Sequence, residues 1–302
     1  MRRLLPLILL LGTTQAQAQQ EVLLPSLDGT PLNAWWLAPR AVATTGDAAV
    51  DTAIPARRPV VVALHGCGGL YARVGARKGK LNARHQAMGE MLQGMGYHVV
   101  FPDSLSARGE VSLCAQLIGT RKITQTQRRA DAFGALAWVR AQAWADPSRV
   151  AVIGWSHGGS AVLAVTEAAN RKAGQEDTVL VAPFKTAIAF YPGCAESLQK
   201  KYQPNTSLTL FLGADDDWTP PASCIAMAEE LKAKPAPTSP PVEVNIYSGA
   251  VHDFDTPLGG VRERKDVPSR LHPGKGVMAG QNVAAREASY QRVREVLQEA
   301  FR

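Results

Sequence analysis

The chain has 302 residues, of which 46% are hydrophobic, and a formal net charge of +7. This length and composition suffice for a single α/β domain with a large core. The basic excess is modest and dispersed, with no aromatic and basic interleaving typical of nucleic-acid binding, so we expect no nucleic-acid partner.

The N-terminus has the pattern of a secretory signal peptide. Met1-Arg2-Arg3 precedes a short apolar run, 4–11, and Ala16-Gln17-Ala18 provides a small-residue cleavage site. The apolar run is too short to anchor the chain across a bilayer, and no cysteine follows it in lipobox position. We therefore expect a signal peptide over 1–18 and a periplasmic or secreted domain over 19–302, with a net charge of +5 and no membrane anchor.

Buried apolar strands alternate with helical patterns along the rest of the chain. Strands are predicted near 22–25, 32–38, 59–64, 97–101, 149–153, 185–190, 207–212 and 242–247. Helices are predicted near 82–95, 124–144, 158–172, 220–233 and 283–301, and 41–58 is predicted to be a flexible insert. The alternation predicts an α/β fold with a mostly parallel twisted sheet of about eight strands and helices on both faces.

A glycine-flanked serine stands between the fifth predicted strand and the helix after it. The segment Gly154-Trp155-Ser156-His157-Gly158-Gly159 follows the apolar run 150–153. An abrupt turn from strand to helix strains the central residue and leaves no room for side chains at the flanking positions, which explains the glycines. This nucleophile-elbow pattern predicts a serine hydrolase in which Ser156 attacks and the His157 N–H stabilises an oxyanion.

Chain order identifies a base for this serine, because α/β-hydrolases place the acid and then the histidine after the nucleophile. Beyond the elbow only His252 and His272 follow. His252 comes shortly after the alternating strand 242–247, whereas His272 lies in a polar stretch beside no predicted element. We predict His252 as the base, with His272 as the alternative.

The acid is expected after the preceding strand, 207–212. That strand is followed by the segment Ala214-Asp215-Asp216-Asp217-Trp218. Asp216 has the usual spacing from Gly213 and is predicted to orient the histidine, with Asp217 as the alternative. At least one carboxylate of this run is expected to serve only the turn or a helix cap.

The loop Leu64-His65-Gly66-Cys67-Gly68-Gly69 follows a buried strand. A glycine-rich turn there allows a backbone N–H to approach a substrate carbonyl, so the Cys67 N–H is predicted as the second oxyanion donor. The alternative is a plain glycine turn after a core strand.

Side chains near these positions are candidates for the substrate pocket. Tyr71 and Trp218 are candidates to line it, and Arg108 either pairs with an anionic substrate or has a structural role with Asp103 or backbone carbonyls. The basic segment 255–282 follows His252 and either forms one wall of the pocket or is an exposed loop.

Together these motifs resemble the dienelactone hydrolase family of α/β-hydrolases, especially its exported members. The matching segments are 65–70, 102–104 with 108–109, 154–159, 191–194, 216–220 and 249–254. The family's namesake has a cysteine nucleophile where this chain has Ser156, and an acidic residue where it has Gly66. The resemblance implies an α/β-hydrolase fold and a carboxylic ester hydrolase of the serine type.

All four cysteines lie in the predicted mature chain and would meet an oxidising compartment. Four cysteines allow three pairings, which the sequence alone does not separate. On the fold that the resemblance implies, Cys194 and Cys224 flank the acid loop as near neighbours. We therefore propose Cys67–Cys114 and Cys194–Cys224 bridges.

The resulting hypothesis is an exported hydrolase that cleaves small carboxylic esters through an acyl-enzyme intermediate, without cofactor or metal. A peptidase or amidase on the same scaffold is the alternative within enzymes. A non-catalytic binding protein with a hydrolase fold is the alternative outside them. The sequence does not indicate an oligomeric state.

Overall fold

The computed structural model describes residues 19–40, 56–168, 184–233 and 239–302. The predicted signal peptide and most of the predicted insert, 41–55, lie outside the described residues.

Eight strands form one sheet that carries the site. They are β1 (Gln19–Pro25), β2 (Pro31–Leu37), β3 (Arg58–Leu64), β4 (His98–Pro102), β5 (Ala145–Trp155), β6 (Ala187–Phe190), β7 (Leu208–Gly213) and β8 (Val242–Tyr247), in the order β1-β2-β4-β3-β5-β6-β7-β8. The hairpin β1–β2 and the pair β2–β4 are antiparallel, and the other neighbours are parallel. The predicted α/β-hydrolase fold, with a mostly parallel sheet of about eight strands, is confirmed.

Helices cover both faces of this sheet, as predicted. They are α1 (Ala83–Gly94), α2 (Gln125–Arg140), α3 (His157–Thr166), α4 (Ala195–Gln199), α5 (Ala222–Ala233) and α6 (Val283–Ala300). Successive side chains of β3 alternate between the faces, because a strand points them to opposite sides. Val60 and Val62 pack in the core under α2, α3 and α5, whereas Val61 and Ala63 pack under α1 and α6.

Side-chain caps mark where three of the long helices begin. Asn82 accepts a hydrogen bond from the His85 N–H before α1, and Asn282 accepts one from Ala285 before α6. Thr124 and Gln127 form a capping box before α2. The cap position of α3 is Ser156, which makes no such side-chain bond. The first N–H groups of α3 therefore face the serine without a capping side chain.

Two predicted helices were too long. The helix predicted over 124–144 ends at Arg140, because β5 begins at Ala145, where it pairs with Arg58 of β3. The helix predicted over 158–172 ends at Thr166, and Glu167 forms a bridge with Pro204. The remainder of that prediction, 169–172, lies outside the described residues.

A second, two-stranded sheet occupies the basic segment after β8, where no strand was predicted. Strands β9 (Arg262–Pro268) and β10 (Gly276–Ala279) pair in antiparallel fashion. Val267 and Val277 pack against Trp218 and the loop after β3, so this hairpin stands beside the carboxyl ends of the main strands. Such crevices at the carboxyl ends of strands are where open α/β sheets bind ligands.

Candidate active site

Ser156 has the strained backbone expected of a nucleophile elbow. Its φ is +52° and its ψ −115°, a conformation that non-glycine residues seldom adopt. A Cβ at Gly158 would lie 2.0 Å from the Leu64 carbonyl oxygen, and one at Gly154 would lie 2.3 Å from the Gly158 carbonyl oxygen. Glycine is thus required at both flanking positions.

The structure brings the predicted serine, histidine and acid into one hydrogen-bonded line. Ser156 Oγ lies 3.0 Å from His252 Nε2, and His252 Nδ1 lies 2.8 Å from Asp216 Oδ2. The three residues come from loops after β5, β8 and β7, and each is no more than 6% exposed. The alternative base, His272, is exposed in the turn between β9 and β10.

Asp216, rather than Asp217, faces the histidine because backbone donors hold it in place. Its Oδ1 accepts the N–H groups of Trp218 and Thr219, each at 2.9 Å. Asp217 instead accepts the Met278 N–H at 2.8 Å and so ties the acid loop to β10. The carboxylate of Asp216 thus contacts the imidazole, and the carboxylate of Asp217 contacts the hairpin.

Two aromatic rings enclose the imidazole of His252. The rings of Trp218 and Tyr191 each have their centroids 4.5 Å from that of His252. The Thr219 hydroxyl lies 3.1 Å from His252 Nδ1 and 3.0 Å from the Tyr191 carbonyl oxygen. The imidazole therefore contacts both rings, and its Nδ1 faces the acid loop.

The loop after β3 is held against the elbow by covalent and backbone contacts. Cys67 is bridged to Cys114, with the two Cα atoms 5.0 Å apart, and its carbonyl accepts the Leu113 N–H at 2.8 Å. Gly69 has φ +83°, and a Cβ there would lie 2.8 Å from the Val111 carbonyl oxygen. These contacts fix the loop in which Cys67 lines the same cavity as Ser156.

A buried polar group supports this loop from below. His65 Nδ1–H donates to the Gly66 carbonyl at 2.8 Å, and His65 Nε2 accepts the Ser104 N–H at 3.2 Å. The Arg128 guanidinium lies 2.9 Å from the same nitrogen. Burial, together with the charge of Arg128, holds the pKa of His65 well below its usual value. The ring is therefore neutral at pH 7.

The second bridge joins Cys194, before α4, to Cys224 in α5, with their Cα atoms 5.0 Å apart. Since α5 follows the acid loop, this bridge fixes the helix that the loop leads into. Both pairings proposed from the sequence are present in the structure.

A cavity of about 220 Å³ opens in front of Ser156. Ser156, His252 and Trp218 line it together with the glycine loop after β3. Three arginines, Arg73, Arg84 and Arg264, also line it. Arg264 and Thr256 come from the segment after His252, so this segment does form one wall of the pocket.

One protein-family model covers all the segments that form the site. The model of the dienelactone hydrolase family matches residues 47–301. The chain belongs to this family. No curated protein sequence matches the chain closely enough to add to this assignment.

Solved structures with the same fold include a dienelactone hydrolase, an esterase and a dienelactone hydrolase-like enzyme. A proposed dienelactone hydrolase from Klebsiella pneumoniae is 16% identical, with a TM-score of 0.64 over 93% of this chain and 98% of that one. Esterase 2 of Thermogutta terrifontis, solved phosphorylated by paraoxon, is 18% identical with a TM-score of 0.61 over 94% of each chain. A dienelactone hydrolase-like promiscuous phosphotriesterase from metagenomic libraries is 20% identical, with a TM-score of 0.61 over 94% of this chain and 99% of that one.

Two of the predicted pocket residues, Arg108 and Tyr71, do not line the cavity. Arg108 donates to Asp131, with the shorter bond at 2.7 Å, to Asp28 at 2.8 Å and to the Ser104 carbonyl at 2.9 Å. It therefore has the structural role foreseen as one alternative, although its carboxylate partners are not Asp103. Tyr71 is half-buried, its backbone bridges Leu81, and burial raises the pKa of its hydroxyl to about 12.

The sequence analysis missed a buried ionic group behind the histidine. Arg84 of α1 lies 2.6 Å from Asp253 and 3.2 Å from Asp255. Asp255 also accepts the indole N–H of Trp155 at 2.8 Å and the hydroxyl of Tyr191. In the sequence, the only local indication of this group is the pair of acidic residues at 253 and 255, directly after His252.

Two further properties concern the described parts of the chain alone. They contain no group of three or more His, Cys, Asp or Glu side chains that could hold a metal ion. No helix in them is long and apolar enough to cross a membrane.

Proposed function

We propose that the protein hydrolyses carboxylic esters in two steps through an acyl-enzyme intermediate. Ser156 Oγ attacks the ester carbonyl while His252 Nε2 takes its proton, and the same proton is then delivered to the leaving alcohol. Water, deprotonated by His252, next attacks the acyl carbonyl and releases the acid and free Ser156. Asp216 keeps the imidazole in the tautomer with its proton on Nδ1 and stabilises the imidazolium.

The observation that carries this proposal is the line of contacts from Ser156 through His252 to Asp216. Its two distances, 3.0 Å and 2.8 Å, are those of hydrogen bonds already formed. The strained backbone of Ser156 supports the same role, since the elbow turn places this largely buried serine in the lining of the cavity.

The N–H groups of His157 and Cys67 are proposed as the oxyanion hole. His157 begins α3, whose N-terminus carries a partial positive charge and lacks a capping side chain. Cys67 lines the same cavity as Ser156, in a loop fixed by its disulfide. Fixed donors of this kind stabilise the developing negative charge without reorganisation during the reaction.

The cavity supports a small substrate. Its volume of about 220 Å³ lies below the roughly 300–1,000 Å³ of pockets that enclose drug-sized ligands. We therefore propose esters with short acyl chains, with Trp218 packing against the acyl or alcohol group.

The first experiment compares Ser156→Ala with the wild type on p-nitrophenyl acetate and butyrate. We expect kcat to fall on the order of 10⁶-fold. Ser160→Ala is the matched control, because Ser160 lies one turn along α3 and its hydroxyl accepts the Gly193 N–H at 2.9 Å. Turnover retained by the Ser156 variant would contradict the proposal. Wild-type cleavage of peptide anilides at rates equal to the esters would favour the amidase alternative.

We also propose that the protein is exported. Two disulfides support an oxidising compartment, where such bonds persist. N-terminal sequencing of the protein from a periplasmic or culture fraction is expected to begin at Gln19. A mature protein that retains Met1 to Ala18 would contradict this proposal.

A further inference from the structure

The excess of positive charge, interpreted from the sequence as dispersed, belongs to three segments that the fold brings to the cavity. Three segments, 71–81, 109–123 and 256–280, are here called the rim. The rim has eleven Lys and Arg and three Asp and Glu, a net charge of +8. The whole chain has a net charge of +7, so everything outside the rim sums to −1.

The three rim segments lie together in space. Arg73, Cys114 and Arg264 come one from each segment, and all line the cavity in front of Ser156. Val267 and Val277 of the hairpin pack in one cluster with Leu113 and Cys114. All three rim segments therefore border the cavity, and each carries exposed basic side chains, such as Lys78, Lys122 and Lys265.

The rim also contains most of the large aliphatic side chains that are exposed in the described parts of the chain. Seven of eleven belong to the rim, which has 51 of the 249 described residues. They are Val74, Val111, Leu117, Ile118, Leu258, Val261 and Leu271. Val74 is 81% exposed and Leu258 69% exposed, so neither contributes to the core.

Basic side chains interleaved with exposed aliphatic ones fit one kind of partner. Lysine and arginine attract the phosphates of an anionic lipid surface, and aliphatic side chains enter the region between headgroups and acyl chains. A nucleic acid would instead be expected to stack on exposed aromatic side chains, whereas the exposed large apolar residues of the rim are aliphatic.

We propose that the rim is a peripheral docking surface for anionic lipid bilayers and holds the mouth of the cavity against the lipid surface. Lys78, Lys80, Lys265 and Lys275 are exposed and do not line the cavity. They are expected to supply much of the attraction while taking no part in the chemistry. The docking itself does not depend on the proposed ester hydrolysis.

The test is co-sedimentation of the full protein with vesicles of phosphatidylcholine, alone or with 30 mol% phosphatidylglycerol, at low and high salt. We expect binding only to the anionic vesicles, and its loss at high salt. A variant with Lys78→Gln, Lys80→Gln, Lys265→Gln and Lys275→Gln is expected to bind more than about a hundredfold more weakly, since one basic residue contributes about fivefold.

The matched control removes four lysines outside the rim: Lys185, Lys200, Lys201 and Lys232, each replaced by Gln. It has the same net charge as the rim variant, and we expect binding close to that of the wild type. Both variants are expected to hydrolyse a soluble short-chain ester like the wild type, which also shows that they fold. Equal loss of binding in the two variants would overturn the proposal.

A second pair of variants tests the aliphatic contribution. Val74→Ser with Leu258→Ser is expected to weaken binding to the anionic vesicles severalfold, whereas Leu23→Ser with Leu27→Ser, exposed outside the rim, is expected to leave it unchanged. No binding to either vesicle at low salt, or equal binding to both, would contradict the proposal. Retention on heparin without vesicle binding would indicate that the rim binds a soluble polyanion, and it would also overturn the proposal.

Discussion

Removal of the Cys67–Cys114 bridge is expected to affect both the stability of the fold and the geometry of the proposed oxyanion hole. Comparison with removal of the other bridge distinguishes the two effects. The perturbation is Cys67→Ser with Cys114→Ser, and the comparison is Cys194→Ser with Cys224→Ser. The bridges close loops with sequence separations of 47 and 30 residues. Loop-closure entropy then gives a loss of about 4 kcal/mol in the free energy of unfolding for the first pair and about 3.6 kcal/mol for the second.

Their effects on kcat are expected to differ although the losses of stability are nearly equal. Cys67 carries a proposed oxyanion N–H, so freeing its loop displaces a group that touches the reacting carbonyl oxygen. We expect kcat to fall about 10- to 100-fold, less than the roughly 10²- to 10³-fold cost of removing one donor outright. The second bridge holds α4 and α5 and touches no reacting atom, so kcat is expected to change less than about threefold.

The assay combines urea unfolding at 25 °C with kcat for p-nitrophenyl butyrate at a temperature where each variant is folded by circular dichroism. The wild type treated with a reducing agent provides a check that the effects come from the bridges. Equal kcat losses in the two double variants would refute the reasoning. An unchanged kcat in the Cys67 and Cys114 variant would do the same.

Three other perturbations follow from the buried groups around the site. Burial lowers the pKa of four histidines: His65, His85, His157 and His98, the last to about 4. Because they take up protons near pH 6.5 only when the chain is unfolded, each should lower the free energy of unfolding by up to about 1.4 kcal/mol from pH 7.5 to pH 5.5; urea titrations that show no loss would contradict this. Asp216→Ala should lower kcat on the order of 10³- to 10⁴-fold, whereas Asp217→Ala should change it less than about threefold, and the reverse order would reassign the acid. Asp255→Asn, which disturbs the contacts to Arg84, should lower the free energy of unfolding by about 3 kcal/mol in urea titrations, and a variant as stable as the wild type would contradict the proposed ionic group.

The residues in line with Ser156 were predictable because each follows a buried parallel strand, and the carboxyl ends of such strands meet at one edge. His252 was predicted from chain order and strand ends, and Asp216 from the end of its strand and its spacing from Gly213. The choice between Asp216 and Asp217 needed coordinates, because it depends on which carboxylate the Trp218 and Thr219 N–H groups hold.

What the sequence analysis missed depends on contacts distant in the chain. Strand β9 is mostly charged and shows no alternation of apolar residues, and β10 is tied to the acid loop by a bond from Met278 to Asp217. Arg84 reaches the cavity because α1 packs beside His252, and no local motif marks it. Arg108 has its main partner, Asp131, on α2, which a reading of its own loop does not reveal.

The central claim is that Ser156 is a nucleophile activated by His252. The most direct test treats the wild type, Ser156→Ala and His252→Ala with a fluorophosphonate and maps the adduct by peptide mass spectrometry. We expect one adduct, on Ser156, in the wild type, none in the Ser156 variant and strongly slowed labelling in the His252 variant. An adduct on another residue, or equal labelling rates in the wild type and the His252 variant, would contradict the account.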